Sequence, residues 1–167
     1  KKITNKRAQN AVLQGRIEGI IRMKTSDNPV FYNTIEDKLN ALLVLKEETE
    51  KDSELIFNRM NDVLTESQKE EQRIKELGLE NGYEFAVFGE LKNILDDEKV
   101  CVSASVTIYK KLHPLTDYID WPNKLTVRKD MEKYIYEILS ENNFPDEKID
   151  KLTEEIIVLT GRHLHER

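Results

Sequence analysis

The chain has 167 residues, of which 38% are hydrophobic and 35% charged, with a formal net charge of -6. That composition suits one domain around a single hydrophobic core with an unusually charged surface, and the acidic balance argues against a general nucleic-acid binder. A single cysteine, Cys101, excludes an internal disulfide, and no apolar run approaches the ~20 residues that span a bilayer. Without a signal-peptide core at the charged N-terminus, the expected location is the cytoplasm. A start at Lys1-Lys2 with no initiator methionine reads as a piece of a longer polypeptide.

Hydrophobic spacing predicts helix almost throughout. Ile3 to Lys24 carries Ala8, Val12, Ile17, Ile20 and Ile21, and should end in Thr25-Ser26-Asp27-Asn28-Pro29, where the proline blocks continuation. Thr34 followed by Asp37 resembles a capping box opening a second helix, with Ile35, Leu39, Leu42 and Leu43 as its stripe. A third helix, Asp52 to Leu77, has an apolar front half (Ile56, Met60, Val63, Leu64) and a back half, Glu66 to Glu76, whose mixed charges fit a solvated surface. Gly78 is placed to cap it, and Asn81-Gly82 marks the next turn.

Tyr83 to Leu95 is the most aromatic stretch, and the helical spacing of Phe85, Phe88, Leu91 and Leu95 favours core filling over an exposed platform. Val100 to Tyr109 is β-branched and alternates like a strand, yet Val102, Val106 and Tyr109 share a helical face, so it is read as helix up to Pro114. Val127, Met131, Tyr134, Ile135, Ile138 and Leu139 define a strong amphipathic helix. Asn142-Asn143-Phe144-Pro145 breaks it. Asp146 is the expected cap of a last helix that carries Ile149, Leu152, Ile156 and Leu159 and stops at Gly161. The expectation is an all-α fold, an irregular bundle of about six to seven helices, forming one domain over 1–167.

Motifs for chemistry are lacking. The six glycines form no phosphate-cradling loop, and no Cys/His cluster has zinc spacing. His163 and His165, two apart, would point away from each other on a helix, and His113 stands alone before Pro114. Cys101, between two valines, reads as a buried thiol rather than a nucleophile. Asp96-Asp97-Glu98 and Glu47-Glu48 read as solvated acidic runs. No catalytic, cofactor or metal-binding residue is expected.

Two features rise above this background. Trp121, the only tryptophan, stands before the strong amphipathic helix. Burial as a structural anchor is the favoured reading because tryptophan is highly buried on average; an exposed Trp-Pro anchoring a partner is the alternative. Lys124, Arg128, Lys129 and Lys133 recur at helical steps and form a candidate contact to a partner or to DNA, with Arg16, Arg22 and Lys24 of the first helix as a secondary candidate.

Several segments, in order, carry a family resemblance: Asn28-Pro29-Val30-Phe31-Tyr32-Asn33-Thr34-Ile35, then Glu76-Leu77-Gly78-Leu79 with Phe85 and Phe88, then Ile119-Asp120-Trp121 with Val127-Arg128 and Met131, and finally Asn143-Phe144-Pro145. Together they resemble the C-terminal helical region of the motor/restriction (R) subunit of type I restriction enzymes, departing from it at Pro122 and Asp130. The resemblance implies a non-catalytic C-terminal fragment of an ATP-dependent DNA-translocating endonuclease. It would attach the motor subunit to the methyltransferase and specificity subunits, with double-stranded DNA as a further contact. ATP and Mg2+ belong, on this reading, to the parent subunit and not to these residues. The competitors are a DNA-binding helical module acting through its basic face, a small-molecule or nucleotide binder without a fingerprint, and a scaffold unrelated to restriction.

Overall fold

The computed structural model describes residues 5–48 and 53–164; Ile3, Asp52 and His165 lie outside them. The described residues form seven α-helices and no strand: α1 (Lys6–Lys24), α2 (Pro29–Glu48), α3 (Ser53–Glu76), α4 (Gly82–Lys92), α5 (Glu98–Leu112), α6 (Leu125–Glu141) and α7 (Asp146–His163). Two 3-10 turns, His113–Asp117 and Trp121–Asn123, lie between α5 and α6. The all-α expectation holds, including for the Val100–Tyr109 stretch.

Composition suggested one core; the apolar side chains gather in two. The chain divides into compact units at Arg73/Ile74, each with its own cluster of buried side chains. The polar back half of α3 accounts for the break: between Leu64 and Ile74 it adds no side chain to either cluster.

In the first unit Ile17 and Ile21 of α1 meet Tyr32, Ile35, Leu39 and Leu42 of α2, and Ile56, Met60, Val63 and Leu64 of α3. Val12, spaced as though it belonged to this stripe, is 59% exposed. Polar bonds fix the corners. Asn10 Nδ2 donates to the Ser53 carbonyl over 3.0 Å, and Lys24 pairs with Glu71 at 2.9 Å. The second helix starts earlier than the Thr34–Asp37 box suggested. Asn28 Oδ1 accepts from the Phe31 N–H, and Pro29 is the first helical residue, a position where its missing N–H costs nothing. Thr34 lies inside the helix, its hydroxyl donating to the Val30 carbonyl.

The second unit is a ring of four helices in which α4 packs on α5, α5 on α6, α6 on α7, and α7 back on α4. Its ends are well capped. Asn81 accepts from the Glu84 N–H at 2.9 Å, while the buried Glu84 carboxylate accepts from the Glu80 N–H at 2.8 Å, a capping box shifted by one residue. Gly78 (φ 74) and Asn143 (φ 60) each end a helix in the left-handed region. Around each, paired bonds close the last turn, Gly78 N–H to Lys75 and Leu79 N–H to Ile74, then Asn143 N–H to Ser140 and Phe144 N–H to Leu139. Both sites also bury the following apolar residue, Leu79 or Phe144, as this type of helix stop requires.

Two local expectations, on the cap and the end of α7, are corrected here, and one, on α5, is refined. Val102, Val106 and Tyr109 do share one side of α5, which is half-buried, while its inner face is Cys101, Ala104, Ser105, Ile108 and Leu112. Asp146 does not cap α7 but is its first residue, following Pro145, where its charge still favours the positive end of the helix dipole. That helix runs through Gly161 to His163, because Thr160 and His163 bury into the unit and hold the final turn inward.

Candidate interaction surface

Trp121 organises the second unit's surface. The chain leaves the first 3-10 turn at Tyr118, and Asp120 takes a left-handed conformation (φ 56). Trp121 then turns into the core, 2% exposed, with its ring edge against α7 near Gly161. Trp121 is thus one of the core side chains of this unit. Burying Trp121 leaves its neighbours outside: Tyr118 is 55% and Ile119 79% exposed.

The next helix, α6, puts Val127, Met131, Ile135, Ile138 and Leu139 into the core. Its opposite side is not purely polar, since Leu125 and Tyr136 are exposed. At about 100° per residue, Leu125, Lys129, Lys133 and Tyr136 fall within about 80° of one another and span about 16 Å of helix length. Lys133 reaches Glu137 at 4.0 Å, a solvent-exposed pair of small energetic weight.

The four predicted cations are all exposed, but they do not form one stripe. Lys129 and Lys133 share the outer side, and Arg128 sits a third of a turn away toward the core edge. Lys124 precedes the helix as its extended N-cap residue, its amine 5.8 Å from the centre of the Tyr118 ring. The helix itself carries three cations, Arg128, Lys129 and Lys133, against four carboxylates, Asp130, Glu132, Glu137 and Glu141. Its field is therefore mixed, unlike the positive footprint of a phosphate-binding face. In the secondary set Lys24 is engaged by Glu71, whose hydrogen bond and charge raise the Lys24 pKa. Arg22 and Lys24, two positions apart, point to nearly opposite sides of α1.

Several of the candidate chemical groups have structural roles. Cys101 is buried, its thiol donating to the Leu95 carbonyl at 3.3 Å, and burial pushes its pKa up. Asp97 caps α5 by accepting from the Val100 N–H. Asp96 pairs with Lys92, whose hydrogen bond and charge hold that carboxyl below its usual range. The side chains of Glu47 and Glu48 lie outside the described residues. His113 is half-buried against the Tyr109 ring, 5.1 Å between centres. Among the described residues no three acidic, His or Cys side chains group to hold a metal ion, and no helix is long and apolar enough to cross a membrane.

Sequence reasoning missed Tyr118, Ile119, Leu125 and Tyr136 as surface features. The available signal was the phase of Leu125 and Tyr136, which matches Lys129 rather than Met131.

Fold and surface thus define an all-α chain in which α6 and the segment leading to it combine exposed apolar side chains with exposed cations. The model of the family described as type I restriction enzyme HindI endonuclease subunit-like, C-terminal, matches residues 1–160, and the chain belongs to this family. No curated protein and no solved structure shows significant similarity to it.

Proposed function

We propose that this chain is a non-catalytic assembly domain of a type I restriction endonuclease subunit, joining the DNA-translocating and cleaving subunit to the methyltransferase and specificity subunits. The observation that carries the reading is the outer side of α6. There Leu125 and Tyr136, 66% and 50% exposed, flank Lys129 and Lys133 while Val127, Met131, Ile135, Ile138 and Leu139 hold the other side of the helix in the core. Exposed apolar side chains among polar neighbours, on a rigid helix, mark protein contact sites, and tyrosine is enriched at their energetic centres. On this reading ATP and Mg2+ act elsewhere in the parent subunit, and the protein works in the cytoplasm.

The test is capture of the 167-residue chain by the purified methyltransferase–specificity core. Leu125→Ser with Tyr136→Ser should weaken capture about tenfold or more, the scale of losing one interface hot spot. Lys129→Glu with Lys133→Glu should weaken it chiefly at low salt. Both variants should melt within about 0.5 kcal/mol of the parent, as surface substitutions do. Undiminished capture by both would sink the proposal.

A second reading, contact with double-stranded DNA, is favoured by the exposure of Lys124, Arg128, Lys129 and Lys133 together. Each phosphate contact would add about -0.9 to the slope of log affinity against log salt. Binding with no such slope removes this reading.

A further inference from the structure

Between α2 and α3 of the first unit runs an open groove of about 340 Å³, lined by residues of these two helices and none of α1. Its floor is apolar, formed by Ala41, Leu42, Leu45 and Val63. The same face of α3 continues one turn beyond it to Leu55, 37% exposed. On each wall the lining residues repeat at i, i+3, i+4 and i+7, so two helices each offer one continuous face to the same trough. The complement to that shape is a third helix with a matching apolar stripe.

The rim says what the polar flank of that helix must be. Lys38 and Glu66 satisfy each other across the trough, the ammonium donating to both carboxylate oxygens at 2.6 and 2.7 Å. That end is electrically closed. Arg59 and Asp62, one turn apart on α3, also line the groove, and neither has an ion pair among the described residues. With one charge of each sign the rim does not select a polyanion or an anionic membrane.

We propose that this groove seats an amphipathic α-helix of a partner protein, with its aliphatic stripe on the Leu42–Val63 floor. A carboxylate and a cation one turn apart on its flank would face Arg59 and Asp62. The inference is independent of the α6 reading, being carried by other helices and other charges.

The test uses the 167-residue chain and two fluorescent helix-forming peptides. Both have leucines at i, i+4 and i+7; they differ only in the order of a Glu and a Lys one turn apart on the flank. The chain should prefer one order by about tenfold, the scale of exchanging two facing charge pairs for two like-charge contacts. Arg59→Glu with Asp62→Arg should invert that preference, and Ala41→Glu should abolish binding of both peptides. Circular dichroism melts of the variants should match the parent, and Leu125→Ser with Tyr136→Ser should leave peptide binding unchanged. Binding of neither peptide, or a preference that the charge exchange fails to invert, overturns the proposal. So does self-association of the chain that Ala41→Glu removes, which would make a second copy the occupant.

Discussion

The two units of this chain build helices by the same rules and finish them differently. Among the described residues the second unit buries 21 apolar side chains in one cluster, where the first buries ten. Both units cap helix starts with side chains, Asn5 and Asn28 in the first and Asn81 and Asp97 in the second, and in the second α6 stops on a left-handed Asn143 followed by the buried Phe144. Each unit leaves five large apolar side chains exposed among the described residues, and the first adds an open apolar groove between α2 and α3. Burial at roughly 25 cal/mol per Å² is the main source of stability, so the larger cluster should hold the more robust unit. The contrast makes the second unit the more stable frame of the two.

The largest expected effect attacks the frame. Trp121→Ala should destabilise by about 3–5 kcal/mol, the range for removing a core aromatic, and hydrogen-exchange protection should fall across α4 to α7. Met60→Ala, at the fully buried centre of the smaller cluster, should cost about 2–5 kcal/mol and lower protection in α1 to α3. If each substitution lowers protection equally in both units, the units unfold as one, and the comparison drawn above fails.

A smaller effect sharpens it. Helix α1 carries Gly15 and Gly19 in its interior, and a methyl group added at either meets nothing within 4 Å. Glycine in a helix interior costs roughly 0.5–1 kcal/mol relative to alanine, and no contact inside this unit asks for the missing side chain. Gly15→Ala and Gly19→Ala should each raise the stability of the first unit by about that amount, seen as a shift in its denaturation midpoint. A loss of stability in either variant would show that those glycines serve the fold in a way the contacts do not reveal.

What the sequence made legible follows from how local each feature is. The stripes of α2, the front of α3, and α6 were readable because helical phase alone selects Ile35, Leu39, Ile56, Met60, Met131 and Ile135. Gly78 was readable because a left-handed stop wants glycine. The α2 start was misread because Asn28-Pro29 carries two signals at once. The proline that ends one helix is also pre-shaped to begin the next, and Thr34 offered a plausible later start. The run through Gly161 was illegible because glycine permits a stop without enforcing one, and the outcome rested on tertiary burial of Thr160 and His163. Two cores where one was expected, and the exposure of Leu125 and Tyr136, have a common cause. Periodicity says which side chains share a face, but not which faces find a neighbour. The same holds for the α2–α3 groove.

The smallest effect concerns protons, and it can be read in each unit separately. Glu90 on α4 is held above the ordinary carboxyl value of 4.5, first by burial and then by the charge and hydrogen bond of Glu155 on α7, with Lys151 opposing. In the first unit Glu70 is raised mainly by burial, with Arg73 and a hydrogen bond to Asn28 opposing. A carboxyl whose folded value lies above its unfolded value binds its proton more tightly in the folded chain. Its contribution is therefore fully present below about 4.5 and is lost as the pH rises through the raised folded value. Each unit should gain a little stability on mild acidification from neutrality. Glu90→Gln keeps the shape and removes the titration, so it should narrow the change in protection between pH 7 and pH 5 across α4 to α7 and leave α1 and α2 alone. Glu70→Gln should do the reverse. Both groups are partly solvated, which keeps the effect small. Exchange profiles whose pH dependence is unaltered in both variants would show that neither carboxyl is perturbed enough to matter.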